Sequence, residues 1–279
     1  MTLFAHLFFA ISVLLSNSLK TGYADVPSAS LPCHLYLFLK NAIFHQKLAT
    51  TAQKVLIYIF LSTFISQGKA QSRQNPDFDW DAKMKSMGFV DVNFWEPTIQ
   101  YYLVYSTPDN FLNKPLYNSK LTKAWLHPRA AIMLIHAQEF LKKEHPELAL
   151  LIYDAARPME VQRTMSDWAK RTKNDNFVAD PAKGGGQHNY GLAVDVTLVN
   201  DKGEWLPMGT PFDFFGPEAH TDKEDDLLKR RRITPSEYFN RKLLRRIMEA
   251  AGFTSISYEW WHFNACPRDE TVKKYRLIE

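Results

Sequence analysis

The chain reads as an α+β protein: a single domain with a mainly antiparallel central sheet flanked by helices. Three observations predict this. Helical and strand-like patterns mix irregularly between residues 127 and 263, without the repeated βαβ units of a parallel sheet. No internal repeat or low-complexity linker divides residues 71–279. The composition is 46% hydrophobic, 14% aromatic and 23% charged, which suits a buried core and excludes wholesale disorder, collagen and coiled coil.

The first seventy residues differ from the rest. They hold five lysines, no arginine and one acidic residue, Asp25, whereas all seven tryptophans lie after residue 70. The formal charge of +4 therefore belongs to this extension, and the remainder carries equal numbers of basic and acidic residues. That balance gives no case for a nucleic-acid-binding surface. Three apolar runs, Leu3–Leu15, Leu35–Leu39 and Val55–Ile65, are each shorter than the ~20 residues of a membrane span. The third follows Lys54 and precedes Gly68-Lys69-Ala70, a small-x-small cleavage pattern. The expectation is a signal peptide over roughly Ala52–Ala70, cleaved near Ala70 and read from a non-standard start codon. The mature chain is then periplasmic or otherwise exported, without stable membrane insertion. An uncleaved anchor beginning at Leu3 is the alternative. Of the two cysteines only Cys266 survives such cleavage, so no internal disulfide forms.

The elements of residues 71–279 follow in order. His127–Glu144 is helical, with Pro128 in the first turn and Ala131, Leu134, Ile135 and Leu141 on one face. Ala149–Asp154 is a short apolar run and reads as a buried strand. Pro158–Arg171 places Val161, Met165 and Trp168 at helical spacing. Gly184-Gly185-Gly186 makes a turn into Ala193–Val199, whose β-branched residues suit a strand. Residues 200–233, rich in Gly, Pro and Asp, carry loops. Thr234-Pro235-Ser236-Glu237 is a capping box opening a helix through Ala251, closed by Gly252. Thr254–Phe263 returns as a strand.

Three segments bear chemistry. In the first, His188 and Asp195 flank a turn containing Gly191, and both side-chain types bind Zn²⁺. On a strand, Asp195 shares a face with Thr197, opposite Val194, Val196 and Leu198, so its carboxylate needs a partner. A hydrogen-bonded core pair is the plainer explanation. The second is Glu259-Trp260-Trp261-His262, which offers a third ligand and a base. Glu259 and His262 oppose each other on a flat strand, so both reach one metal only if the segment bends there. A tryptophan-rich core strand with a surface glutamate is the alternative. The third is Asp154-Ala155-Ala156-Arg157-Pro158, where proline pins the backbone of a cation at the end of a buried strand. An ordinary salt bridge to Asp154 also accounts for it. His127, His136 and His145 recur along one helix and read as surface residues.

Together with VDVNFWEP, YSTPDNF, MGTPFDFF and NRKLLRRIMEAAGF, these segments resemble the D-alanyl-D-alanine dipeptidases, zinc peptidases related to the vancomycin-resistance dipeptidase. The match in kind, order and spacing runs from about Val90 to the C-terminus. The resemblance implies one zinc ion per chain on His188, Asp195 and His262, in a cleft on the sheet. It implies Glu259 as general base, Arg157 as oxyanion stabiliser and Asp213 as receiver of the substrate's α-amino group. The expected reaction is hydrolysis of D-alanyl-D-alanine in cell-wall peptide turnover, with Trp260 and Trp261 packing the pocket walls. A D,D- or L,D-carboxypeptidase and a zinc-stabilised binding module without catalysis are the alternatives. Asp213 speaks against the first and Glu259 against the second. Two departures bear on substrate affinity: Gly186 stands where the family usually has serine, and Tyr101–Tyr105 where it tends to place charged residues.

Overall fold

A computed structural model describes residues 78–174 and 177–279. The expected signal segment, the extension 1–70 and the boundary at residue 71 lie outside the described residues. The domain is α+β as expected. Its central sheet has five strands in the order β2-β4-β5-β7-β6: β2 (Gln100–Tyr101), β4 (Leu148–Asp154), β5 (Ala193–Asn200), β7 (His262–Asn264) and β6 (Thr254–Ser255). Only β2 and β4 run parallel, and the other three pairings are antiparallel. A separate two-stranded ladder joins β1 (Val90–Asp91) to β3 (Trp125–Leu126). No helix among the described residues is long and apolar enough to cross a membrane.

The sheet's middle is dictated by its apolar runs. All seven residues of β4 are buried, as are the first seven of β5, because both faces are covered. Helices α3 (Pro128–Glu144) and α6 (Pro235–Ala250) pack against the sheet and against each other. Gln138 of α3 accepts the Leu150 backbone N–H at 2.8 Å, tying the helix to β4. The capping box of α6 forms in full, Thr234 and Glu237 each capping the other's backbone N–H. Shorter helices α1 (Trp80–Ser86), α2 (Val92–Trp95), α4 (Met159–Thr172), α5 (Glu224–Lys229) and α7 (Arg268–Lys274) complete the order. Residues 200–233, expected to carry loops, also hold helix α5.

The expected strand Thr254–Phe263 is corrected. It is a tight return: β6 pairs antiparallel with β7, Thr254 opposite Asn264 and Ser255 opposite Phe263. The chain must reverse between Ser255 and His262, and this loop carries Glu259. The bend that Glu259 and His262 require is therefore present.

Candidate active site

The site begins where β4, β5 and β7 end together. Asp195 lies opposite His262 across the β5–β7 pair and opposite Asp154 across β4–β5. A bulge at Tyr153 shifts the register just before Asp154. His188 arrives from a 3-10 turn, Gln187–Tyr190, that precedes β5 and closes on Gly191. Gly191 has φ of +65°, and a Cβ there would come within 2.6 Å of the Phe89 ring and 2.9 Å of the His127 nitrogen. No other residue fits that corner. Two hydrogen bonds fix the turn against the Arg157 segment: the Arg157 N–H donates to the His188 carbonyl at 3.0 Å, and the Asn189 side-chain amide donates to the Arg157 carbonyl at 2.9 Å.

Three donor atoms converge here. His188 Nε2 and His262 Nδ1 are 3.1 Å apart, and Asp195 Oδ1 lies 3.3 Å from the first and 3.0 Å from the second. The other ring nitrogens are committed. His188 Nδ1 lies 2.8 Å from the Ala155 carbonyl and His262 Nε2 lies 2.9 Å from Asn264 Oδ1, contacts in which each nitrogen must donate. Both imidazoles are thereby left with a lone pair aimed at the shared point, the tautomers that metal ligation requires. Burial works against the Asp195 charge, yet the two imidazoles, His188 foremost, hold its carboxyl well below the usual range. These three residues form a triad able to hold a metal ion.

The remaining expected residues line the same cavity, of about 370 Å³. Glu259 Oε2 is 3.8 Å from His262 Nδ1. Burial, then the charges of Asp195 and Asp213 against the pull of His262, pushes its carboxyl up to about 8. Arg157 is buried and donates to Asp154 through Nε (2.9 Å) and Nη2 (2.5 Å), and to Gln162 through Nη1 (2.9 Å). Burial opposes its charge, but Asp154 sustains it. The salt bridge to Asp154 is formed, and it holds the guanidinium at the cavity wall. Asp213 also lines the cavity, at φ of +58°, and accepts the Tyr105 hydroxyl on both oxygens, at 3.0 and 2.9 Å. Burial first, and then the Asp195 charge, raises its carboxyl well above the ordinary value.

Some expectations change. Trp261 lines the cavity, but Trp260 does not: it is buried behind the wall, where its indole donates to Thr210 at 2.8 Å and faces Arg241. Of Tyr101–Tyr105 only Tyr105 reaches the cavity, while Tyr101 is on the surface. His127, expected at the surface, is half-buried and caps α3 by accepting the Arg129 N–H. Sequence reasoning missed Asn264 and Gln162 as supports. Asn264 was within reach, because two residues beyond His262 on a strand is the same face.

The D-ala-D-ala dipeptidase family model matches residues 85–275 of the chain. The chain belongs to this family. D-alanyl-D-alanine dipeptidase of Escherichia coli (strain K12) is 32% identical over 174 residues, covering 62% of this chain and 82% of that protein. The dipeptidase of Enterococcus faecium is 30% identical over 196 residues, 63% of this chain and 91% of the relative. That of Enterococcus faecalis (strain ATCC 700802 / V583) is 28% identical over 195 residues, 63% and 90%. Membership in the dipeptidase family makes this chain a peptidase. The matched span contains all six residues expected at its site.

Proposed function

We propose that the protein hydrolyses the dipeptide D-alanyl-D-alanine to two D-alanines, using one zinc ion on His188, Asp195 and His262. The observation that carries this is the convergence of two imidazole nitrogens and a carboxylate oxygen beside Glu259 in a single small cavity. Four-coordinate zinc with bonds of about 2.0–2.1 Å sets neighbouring ligand atoms roughly 3.3 Å apart, which the donor separations suit. Three protein ligands leave a position for water, as catalysis needs.

Zinc, when bound, supplies a Lewis acid that acidifies water and polarises the peptide carbonyl. Glu259 takes the proton from the attacking water as oxygen bonds to the carbonyl carbon. The Arg157 guanidinium faces the negative charge developing on the carbonyl oxygen. Glu259 then delivers its proton to the leaving nitrogen as the C–N bond breaks. Tyr105 fixes Asp213, which pairs with the substrate's free α-ammonium.

Substrate length tests this reading. An N-acylated or longer peptide has no ammonium for Asp213 and would leave that carboxylate without its cationic partner. Free D-Ala-D-Ala should be cleaved far faster than its N-acetyl form or a stem pentapeptide. Asp213→Ala should narrow the gap mainly by slowing the free dipeptide. Equal rates on dipeptide and pentapeptide would mark a carboxypeptidase instead.

The compartment is part of the proposal. The Lys54–Ala70 pattern and the charge balance after residue 70 support export and removal of the first seventy residues, with the enzyme acting in cell-wall peptide turnover. N-terminal sequencing of protein from a periplasmic extract should begin near Gln71. A start at Met1 or Thr2 on membrane-bound protein would favour the uncleaved anchor.

A further inference from the structure

A free dipeptide carries two charges, and the cavity has so far been given a partner for only one. Two cationic side chains other than histidine line it, Arg157 and Arg268. Arg157 is held by Asp154 and Gln162 and is already assigned to the scissile carbonyl oxygen. Arg268 is not. It is half-buried at the start of α7, and its Nη2 donates to the Lys183 carbonyl at 2.9 Å. Its guanidinium carbon stands 5.7 Å from the centre of the Tyr190 ring. These two contacts orient the group without neutralising it. Its Nη1 is buried and has no acceptor among the described residues. A buried guanidinium nitrogen without a partner costs free energy that an incoming acceptor would recover.

The surroundings select the acceptor. Arg268 is anchored to the loop that leads into His188, and Gln187 of that loop donates to the Cys266 carbonyl two residues before Arg268. Gly185 and Gly186 line the cavity on the same loop, so no side chain stands there to serve the substrate. The loop is close-fitted around the arginine: a Cβ on Gly184 would lie 3.5 Å from Nη2.

We propose that Arg268 binds the terminal carboxylate of the dipeptide, so that substrate spans the cavity between Asp213 at its ammonium end and Arg268 at its carboxylate end. This rests on the dipeptidase reading of the same site. Arg268 is a binding residue on this view, replacing with a charge whatever a side chain at Gly186 would have offered.

The test compares D-Ala-D-Ala with D-alanyl-D-alaninamide, which lacks the terminal charge. Wild-type protein should favour the free dipeptide. Arg268→Gln should raise its KM about 10- to 100-fold, the range of a charge-assisted contact, and abolish the preference over the amide. Arg268→Lys should restore part of it, as a point charge without the fork. Calorimetric binding of both ligands to Glu259→Gln protein, with and without Arg268→Gln, gives the same contrast without turnover. Equal weakening of dipeptide and amide, or an unchanged dipeptide affinity, overturns the assignment. A wild type that binds the dipeptide more tightly than the amide through Arg268 yet hydrolyses neither would overturn the dipeptidase reading and leave the carboxylate contact standing.

Discussion

Glu259→Gln is expected to keep its metal and lose turnover by at least the ~10²–10⁴-fold typical of a general base, because the same residue also serves as acid. The substitution keeps the size of the side chain and leaves His188, Asp195 and His262 intact, so metal analysis should still find one equivalent of zinc. Near-normal turnover would remove Glu259 from the chemistry. The same variant makes a second measurement possible in the metal-free protein. Burial raises the Glu259 carboxyl to about 8 from an ordinary 4.5. A carboxyl raised on folding binds its proton more tightly in the folded state, so the stability it permits is full below pH 4.5 and declines as pH rises through 8. With a chelator present, Glu259→Gln should therefore match wild type in acid and exceed it above pH 8 by on the order of a few kcal/mol. Denaturant titrations at pH 4 and pH 8.5 would show it, and parallel curves would mean that the charge is relieved in another way.

The other large effect belongs to His262. Replacing it with alanine removes one of three donors and leaves His188 and Asp195, which together cannot fix a catalytic ion. Both zinc content and hydrolysis should fall to background. Asn264→Ala makes a graded companion, since Asn264 only holds the ring of His262 through Nε2. Loss of such a support typically weakens a metal about 10–100-fold. Stoichiometric zinc in His262→Ala would take His262 out of the site.

Helices α3, α4 and α6 and strands β4 and β5 were legible because each is long enough to display a period, and α6 also carries its capping box in plain letters. Strands β1, β2, β3 and β6 have two residues each, too few to alternate; β2 and β6 pair with longer neighbours, and β1 and β3 pair with each other. The return between β6 and β7 was hidden for a different reason. Its turn, Ile256-Ser257-Tyr258-Glu259-Trp260-Trp261, contains no Gly, Pro, Asn or Asp, and Ser257 is a weaker signal of a reversal. Motif spacing and family resemblance brought the six site residues to the page, and the structure gathers them in one cavity. The Tyr105–Asp213 pair spans 108 positions and the Trp260–Thr210 bond 50, and no local pattern encodes either.

The pairing of Asp195 with His262 across β5 and β7 would give a bound ion a duty beyond chemistry. Slippage of β7 by a single residue would set His262 against Val194 or Val196 and turn it to the other side of the sheet. Only the native alignment assembles the triad, so only that alignment can gain from metal binding. Strand β7 has just three residues and little ladder of its own with which to reject a near miss. Zinc would thus act as a proofreader of strand pairing, rewarding the one frame in which the last part of the chain has closed the sheet correctly.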